Sequence, residues 1–162
     1  MKKCVHNITM KVFEKETDQI QKCLSVFKHM IPVDFEKEKI PIHHEKADGF
    51  FQKTIHILKI KTEKNRHNMV MLNTVFSHLS ADDRKRVTRE ILTRIDDDGF
   101  FYIRLDKESL FQKKYRITES GDCFHMKIKL AAFPASTDAY LKAATQLLSM
   151  FGSKDQTYKK ET

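Results

Sequence analysis

Residues 100–118 read FFYIRLDKESLFQKKYRIT. Phe101, Ile103 and Leu105 alternate with Tyr102 and Arg104, and Tyr115 and Ile117 alternate with Lys114 and Arg116. Successive strand residues point to opposite faces, so this stretch predicts two neighbouring strand-like segments with one apolar face and one basic, aromatic face. The segment CFHMKIKL, residues 123–130, extends the pattern: Phe124, Met126, Ile128 and Leu130 on one side, His125, Lys127 and Lys129 on the other. A fourth segment, NITMKVF at 7–13, alternates Ile8, Met10 and Val12 with Asn7, Thr9 and Lys11 and reads as a half-buried strand.

Helical spacing fills the intervals. Thr17 or Asp18 stands at an N-cap position before Ile20, Leu24, Phe27 and Ile31, and Pro32 ends that helix. Residues 33–49 read as an edge strand or loop, because Pro41 cannot donate to a central ladder. FFQKTIHILKIKT, 50–62, reads as a strand whose adjacent Ile57 and Leu58 suggest burial on both faces. Residues 65–79 carry Met69, Leu72, Val75, Phe76 and Leu79 on one helical stripe. A second helix over 80–95 starts at Ser80, with Asp83 three residues on as in a capping box, and would bury Val87, Ile91, Leu92 and Ile95 before Gly99 breaks the chain. Ser136 caps a last helix carrying Ala144, Leu148 and Phe151, with Gly152 at its end. Strands grouped with inserted helices predict an α+β domain over residues 1–152, a mostly antiparallel sheet with helices packed on one face, followed by a flexible polar tail at 153–162.

A chain of 162 residues can hide roughly 70% of its unfolded surface and needs no staples. Cys4, Cys23 and Cys123 are far apart, odd in number and form no CxxC, which predicts reduced thiols rather than a disulfide framework or zinc site. No apolar run approaches the ~18 residues of a membrane span, and the opening lysines precede no apolar core of a signal peptide. The expectation is a soluble cytoplasmic protein with no membrane partner. Thirty Lys+Arg against 22 Asp+Glu give a net charge of +8, which favours polyanionic partners.

The outward set Tyr102, Arg104, Lys114, Arg116, His125, Lys127 and Lys129 contains no acid. Like charge concentrated on one open face costs stability unless an anion binds there. Lys and Arg can neutralise phosphates, while Tyr102 and a guanidinium can stack on unpaired bases, so the face is a candidate RNA platform, with Lys107 joining it just beyond the strand. The alternative is that exposed strand lysines solubilise the sheet and blunt its edges.

The order FEKETDQIQKCLSVFKHMIP, DGFFQKTIHILK, RIDDDGFFYIRLDKE and FHMKIKLAAFPA resembles the archaeal family of small RNA-binding proteins described as predicted exosome subunits. The resemblance runs from about Asn7 to Leu148 and is most specific at FYIRLDK, where Arg104, Leu105, Asp106 and Lys107 match the family pattern. The chain departs from it at Gln52-Lys53-Thr54, where a Gly-Asn-Pro-like turn is usual, and at Glu108 and Lys113-Lys114 in place of Gln and a later Gly-Arg. The resemblance implies a ribosomal-protein-L-five-like fold, RNA as partner, a role in RNA processing or degradation, and neither catalysis nor cofactor.

Two other readings accompany this one. The protein could be an adaptor docking an acidic partner in an RNA-processing complex. It could instead be a metal-dependent nuclease using Asp96, Asp97 and Asp98, although hard-cation sites draw carboxylates from several elements and a solvated turn before Gly99 is the simpler account. His43 and His44 are adjacent and would face opposite ways in a strand; His56, His67 and His78 show no partner in the sequence. Four glycines are too few for a phosphate-cradling loop, and no nucleophile motif is present.

Overall fold

The structure is a computed structural model and describes residues 3–49, 51 and 53–152. Five strands form one antiparallel sheet: β1 (Val5–Glu14), β2 (Ile42–Asp48), β3 (Thr54–Thr62), β4 (Phe100–Asp106) and β5 (Cys123–Leu130), in the order β2-β3-β1-β5-β4. Among the described residues five α-helices accompany them: α1 (Ile20–Met30), α2 (Asn65–His78), α3 (Ala81–Arg89), α4 (Lys107–Phe111) and α5 (Thr137–Gly152). This is the expected α+β architecture. The predicted tail at 153–162 lies outside the described residues.

The register explains the division of labour. Ile8, Met10 and Val12 of β1 lie opposite Ile128, Met126 and Phe124 of β5, and all six are fully buried. Phe101, Ile103 and Leu105 of β4 continue that layer, as do Leu58 and Ile60 of β3. The helices close over it: Phe27 of α1 meets Phe124 edge-on at 5.8 Å, and Phe76 of α2 stacks on Phe151 of α5 at 5.9 Å. Fully burying each such side chain is worth about 1.5–3 kcal/mol, so the inward set is the fold's main driving force.

Local signals behave unevenly. Ser80 caps α3 by accepting from the Asp83 N–H at 3.1 Å, and Ser136 accepts from the Ala139 N–H at 3.1 Å. Neither Thr17 nor Asp18 caps α1; a 3-10 turn at Thr17–Gln19 leads into it, and the buried stripe is Cys23, Val26, Phe27 and Met30, with Leu24 only half-buried. The helix expected to reach residue 95 stops at Arg89 and tightens into a 3-10 turn at Ile91–Arg94, which turns Leu92 out to 65% exposure. β3 is buried on one face alone: Leu58 is fully buried while Ile57 faces outward, half-exposed.

The opening stretch also differs from its reading. β4 runs directly into α4, because Asp106 takes an extended conformation and its carboxylate accepts the Ser109 N–H at 3.0 Å. Lys113 then turns the chain back with φ +60, and residues 114–118 touch β4 through a single bridge between Leu105 and Ile117 rather than as a sixth strand. The alternation survives: Tyr115 and Ile117 are buried, Lys114 and Arg116 exposed.

Candidate nucleic-acid interface

Opposite the helices, the sheet presents an open face whose rows follow from the pairing. One row runs Arg104, His125, Lys11, Lys59, His43 across all five strands in the order β4-β5-β1-β3-β2. The next runs Tyr102, Lys127, Thr9, Lys61, and a third runs Phe100, Lys129, Asn7. On the other side of the first row, Phe13 pairs with Ile57 and leaves an apolar patch, Phe13 being 48% exposed. Outward positions of β1, β3 and β5 carry no carboxylate.

The sequence-derived face is therefore placed together in part. Tyr102, Arg104, His125, Lys127 and Lys129 share the β4–β5 end. Lys114 and Arg116 lie beyond the β4 edge, with Arg116 held beside β4 by its carbonyl accepting from the Asp106 N–H at 2.9 Å. Lys107 is elsewhere. Only 5% exposed, its Nζ lies 2.8 Å from Glu14 Oε2 and 2.7 Å from Asp122 Oδ1, and it donates to the Phe13 carbonyl at 2.6 Å. The alternation of β4 already puts position 107 on the side of Phe101, Ile103 and Leu105, and α4, which begins there, carries the side chain to Glu14 and Asp122.

Lys11, Lys59, Lys61, Phe13 and Phe100 are members of the face absent from the sequence reading. Their signal was the same period of two in β1 and β3, recognisable once those strands are known to adjoin β5.

Lys11 and Lys59 are direct cross-strand neighbours, a like-charge pairing that costs stability. Among the described residues, Lys11, Lys59, Lys127 and Arg104 have no carboxylate within ion-pair distance, whereas Lys61 lies 3.5 Å from Glu63. The ammonium groups rest instead on aromatic rings: Lys127 4.0 Å and Lys129 4.7 Å from the Phe100 centroid, Lys11 5.4 Å from that of Phe13. Lys129 also donates to the Asp98 carbonyl. Tyr102 and His125 stack at 5.2 Å with ring planes 20° apart. Burial, then the charges of Arg104, Lys11 and Lys127, lower the His125 pKa, so its ring is a neutral platform at neutral pH.

The run Asp96, Asp97, Asp98 builds a turn. Asp96 Oδ1 accepts the N–H groups of Asp98 and Phe100 at 3.0 Å, and Oδ2 accepts the Tyr102 hydroxyl at 2.8 Å. Burial alone would raise the Asp96 pKa, but these donors together lower it. The Tyr102 hydroxyl is pushed up to about 12, by burial first and the Asp96 hydrogen bond second. Among the described residues, no group of three His, Cys, Asp or Glu side chains could hold a metal ion.

The histidines unpartnered in the sequence have neighbours in space. His44 Nε2 lies 2.9 Å from His56 Nδ1 on the helix-covered side, and His67 lies 3.2 Å from Glu38. His29 contacts the Tyr115 hydroxyl at 2.6 Å, with the His78 ring 5.4 Å away. Burial, then the Glu14 charge, pushes the Cys23 thiol up to about 12, so it carries no thiolate at neutral pH. No helix among the described residues is long and apolar enough to cross a membrane.

A family model described as RNA binding matches residues 7–130, which take in all five strands except the start of β1. RNA-binding protein PAB1135 of Pyrococcus abyssi is 27% identical over 143 residues, covering 88% of this chain and 93% of that protein. Among solved structures, Mth689, a DUF54 protein from Methanothermobacter thermautotrophicus, superposes with a TM-score of 0.72 at 23% identity, covering 90% of this chain and 98% of that one. Protein AF2318 from Archaeglobus fulgidus does so with a TM-score of 0.76 at 17% identity, covering 88% and 99%.

Proposed function

Because the chain belongs to the family described as RNA binding, we propose that it grips RNA on the open sheet face without catalysing a reaction on it. The observation that carries this reading is the carboxylate-free run of Lys11, Lys59, Lys127 and Lys129 across β1, β3 and β5, flanked by Arg104 and interleaved with Phe100, Tyr102, His125 and Phe13. Cations at strand spacing neutralise successive phosphates, and rings between them receive unstacked bases, which every base can satisfy with its π-face. Arg116 and Lys114 extend the positive rim past β4, whereas Lys107 serves the fold. The resemblance to predicted exosome subunits supports a place in RNA processing or degradation, and one helix layer on one antiparallel sheet supports the ribosomal-protein-L-five-like description.

The test is RNA affinity by fluorescence anisotropy across a salt series, with single-stranded and duplex RNA and the incubated RNA checked on a gel. Each neutralised phosphate contributes about 0.7 to the log–log slope for single strands, so five platform cations predict a slope of about 3.5. Lys59→Thr with Lys127→Thr lowers that slope by about 1.4. Salt-independent weak binding would sink the platform and leave the adaptor; magnesium-dependent cleavage would show a nuclease.

A further inference from the structure

At the β4 edge of the open face the sheet borders a cleft of about 530 Å³, within the roughly 300–1,000 Å³ range of small-molecule sites. The stacked rings of Tyr102 and His125 line it, with Glu90, Arg94, Arg104, Thr118 and Glu119. We propose that this cleft receives a single unstacked base of the bound RNA and selects guanine; the proposal rests on the sheet face being the RNA platform.

Three observations point to a base rather than a phosphate. First, the Tyr102–His125 pair offers a flat aromatic surface, held in place at the Tyr102 hydroxyl by its hydrogen bond to Asp96. Second, the cleft contains two carboxylates, where the outward positions of β1, β3 and β5 have none; Glu90 is held by Arg86 and Arg94, and Glu119 lies at the exposed rim. Glu119 would repel a phosphate, but it is a fitting acceptor for the N–H donors on a base edge. Its side chain is 72% exposed and ion-paired with Arg86 through Oε1, which leaves Oε2 and spare lone pairs available. Third, a guanidinium lines the same cleft: Arg104 Nη1 donates to the Glu119 backbone carbonyl at 3.3 Å, which ties the two residues to one rim.

Guanine alone presents two adjacent donors, N1–H and N2–H₂, to one carboxylate while offering O6 to a neighbouring guanidinium. Adenine, cytosine and uracil each offer a single donor group on that edge. The far wall is rigid. Arg94, with a side chain only 10% exposed, donates to the Tyr102 carbonyl at 3.3 Å and to Glu90 Oε2 at 3.1 Å, and Glu90 is held in turn by Arg86 at 2.8 Å. Arg94 thus positions the wall and is not itself offered as a base contact.

The experiment uses the whole chain and four fluorescent uridine-rich 10-mers that differ at one central position, G, A, C or U. The expected result is that the G oligomer binds about tenfold more tightly than the others, the discrimination of one bidentate contact. Glu119→Gln brings the G-to-U ratio towards one while tightening binding to the all-U oligomer, because a negative charge leaves the rim. Arg104→Lys also lowers the ratio, since an ammonium keeps the charge but loses the planar fork. Equal affinity for the four oligomers, or a ratio that survives Glu119→Gln, overturns the guanine cleft while leaving the platform intact if binding remains salt-dependent. Absence of salt-dependent binding to any oligomer overturns both.

Discussion

Lys107 offers a sharp separation between folding and binding, because its sequence context and its surroundings in the fold give it opposite roles. Its side chain is 6% exposed, and the ammonium bridges Glu14 of β1, whose side chain is 7% exposed, to Asp122 just before β5, whose side chain is 66% exposed. Lys107→Met keeps the aliphatic stem but strands the Glu14 carboxylate in a buried site. Removing one partner of a buried pair costs about 3–5 kcal/mol, because the remaining charge is uncompensated. For a chain of this size each kcal/mol shifts the melting temperature by roughly 2–4 °C, so the melting point should fall by about 6–20 °C. Adding Glu14→Leu removes the stranded charge, leaves Asp122 in solvent, and should restore most of the loss. Burial alone would lower the Lys107 pKa, but the hydrogen bonds to Asp122 and Glu14 raise it. A raised lysine pKa contributes stability that is fully present below the unfolded value of 10.5 and is lost only as pH climbs through the native value, so neutral buffer is the right condition. The assay is thermal melting beside the RNA salt series. A lower melting point with an unchanged salt slope supports the buried clamp. A melting point within 2 °C of the parent, with a slope smaller by about 0.7, would refute it and return Lys107 to the RNA.

Two further outcomes follow from local geometry. Gly99 has φ +84, and a Cβ there would lie 2.3 Å from the Tyr140 ring, so Gly99→Ala should cost at least the roughly 1–3 kcal/mol of backbone strain and shift the urea midpoint down; an unchanged midpoint would refute both the strain and the clash. Burial, then the charges of His78 and Lys113, lower the His29 pKa, so the native state resists protonation: stability is full above the unfolded value of 6.5 and is lost as pH falls through the native value beneath it. Melting points should therefore drop between pH 7 and 5.5, and His29→Gln should flatten that drop; an equal drop in the variant would assign it to other groups.

The inward face was legible because burial and strand geometry impose the same period. Phe101, Ile103, Leu105, Tyr115, Ile117, Phe124, Met126, Ile128 and Leu130 are all buried, as their alternation requires. What escaped the sequence is set by contacts distant in the chain or by competition between local conformations. The five residues of α4 are too few for a helical stripe to emerge, and the alternation around them reads as strand; the Asp106 cap decides otherwise. The burial of Lys107 depends on Glu14, 93 residues away. The union of Lys11 and Lys59 with the β4–β5 cations depends on β1 lying between β3 and β5, an arrangement that no period within a single segment encodes.

That arrangement also says what the face costs. Lys11 and Lys59 oppose each other directly, and Arg104, His125 and Lys127 add positive or suppressed-positive groups across the next strands. Cross-strand like charges destabilise a sheet, and a sheet selected only for stability would alternate signs there; opposite charges do meet on the other side, where Lys107 of α4 pairs with Glu14 of β1. The aromatic rings beneath Lys127, Lys129 and Lys11 reduce the penalty without neutralising the charge, since a cation over a ring still projects its field into solvent. An anion laid across these rows removes the repulsion and makes the folded state more stable, so binding and folding are linked through the same few lysines. The open face is thus the part of the molecule where stability is given up, and the central position of β1 is what gathers that cost into one surface wide enough for a polyanion.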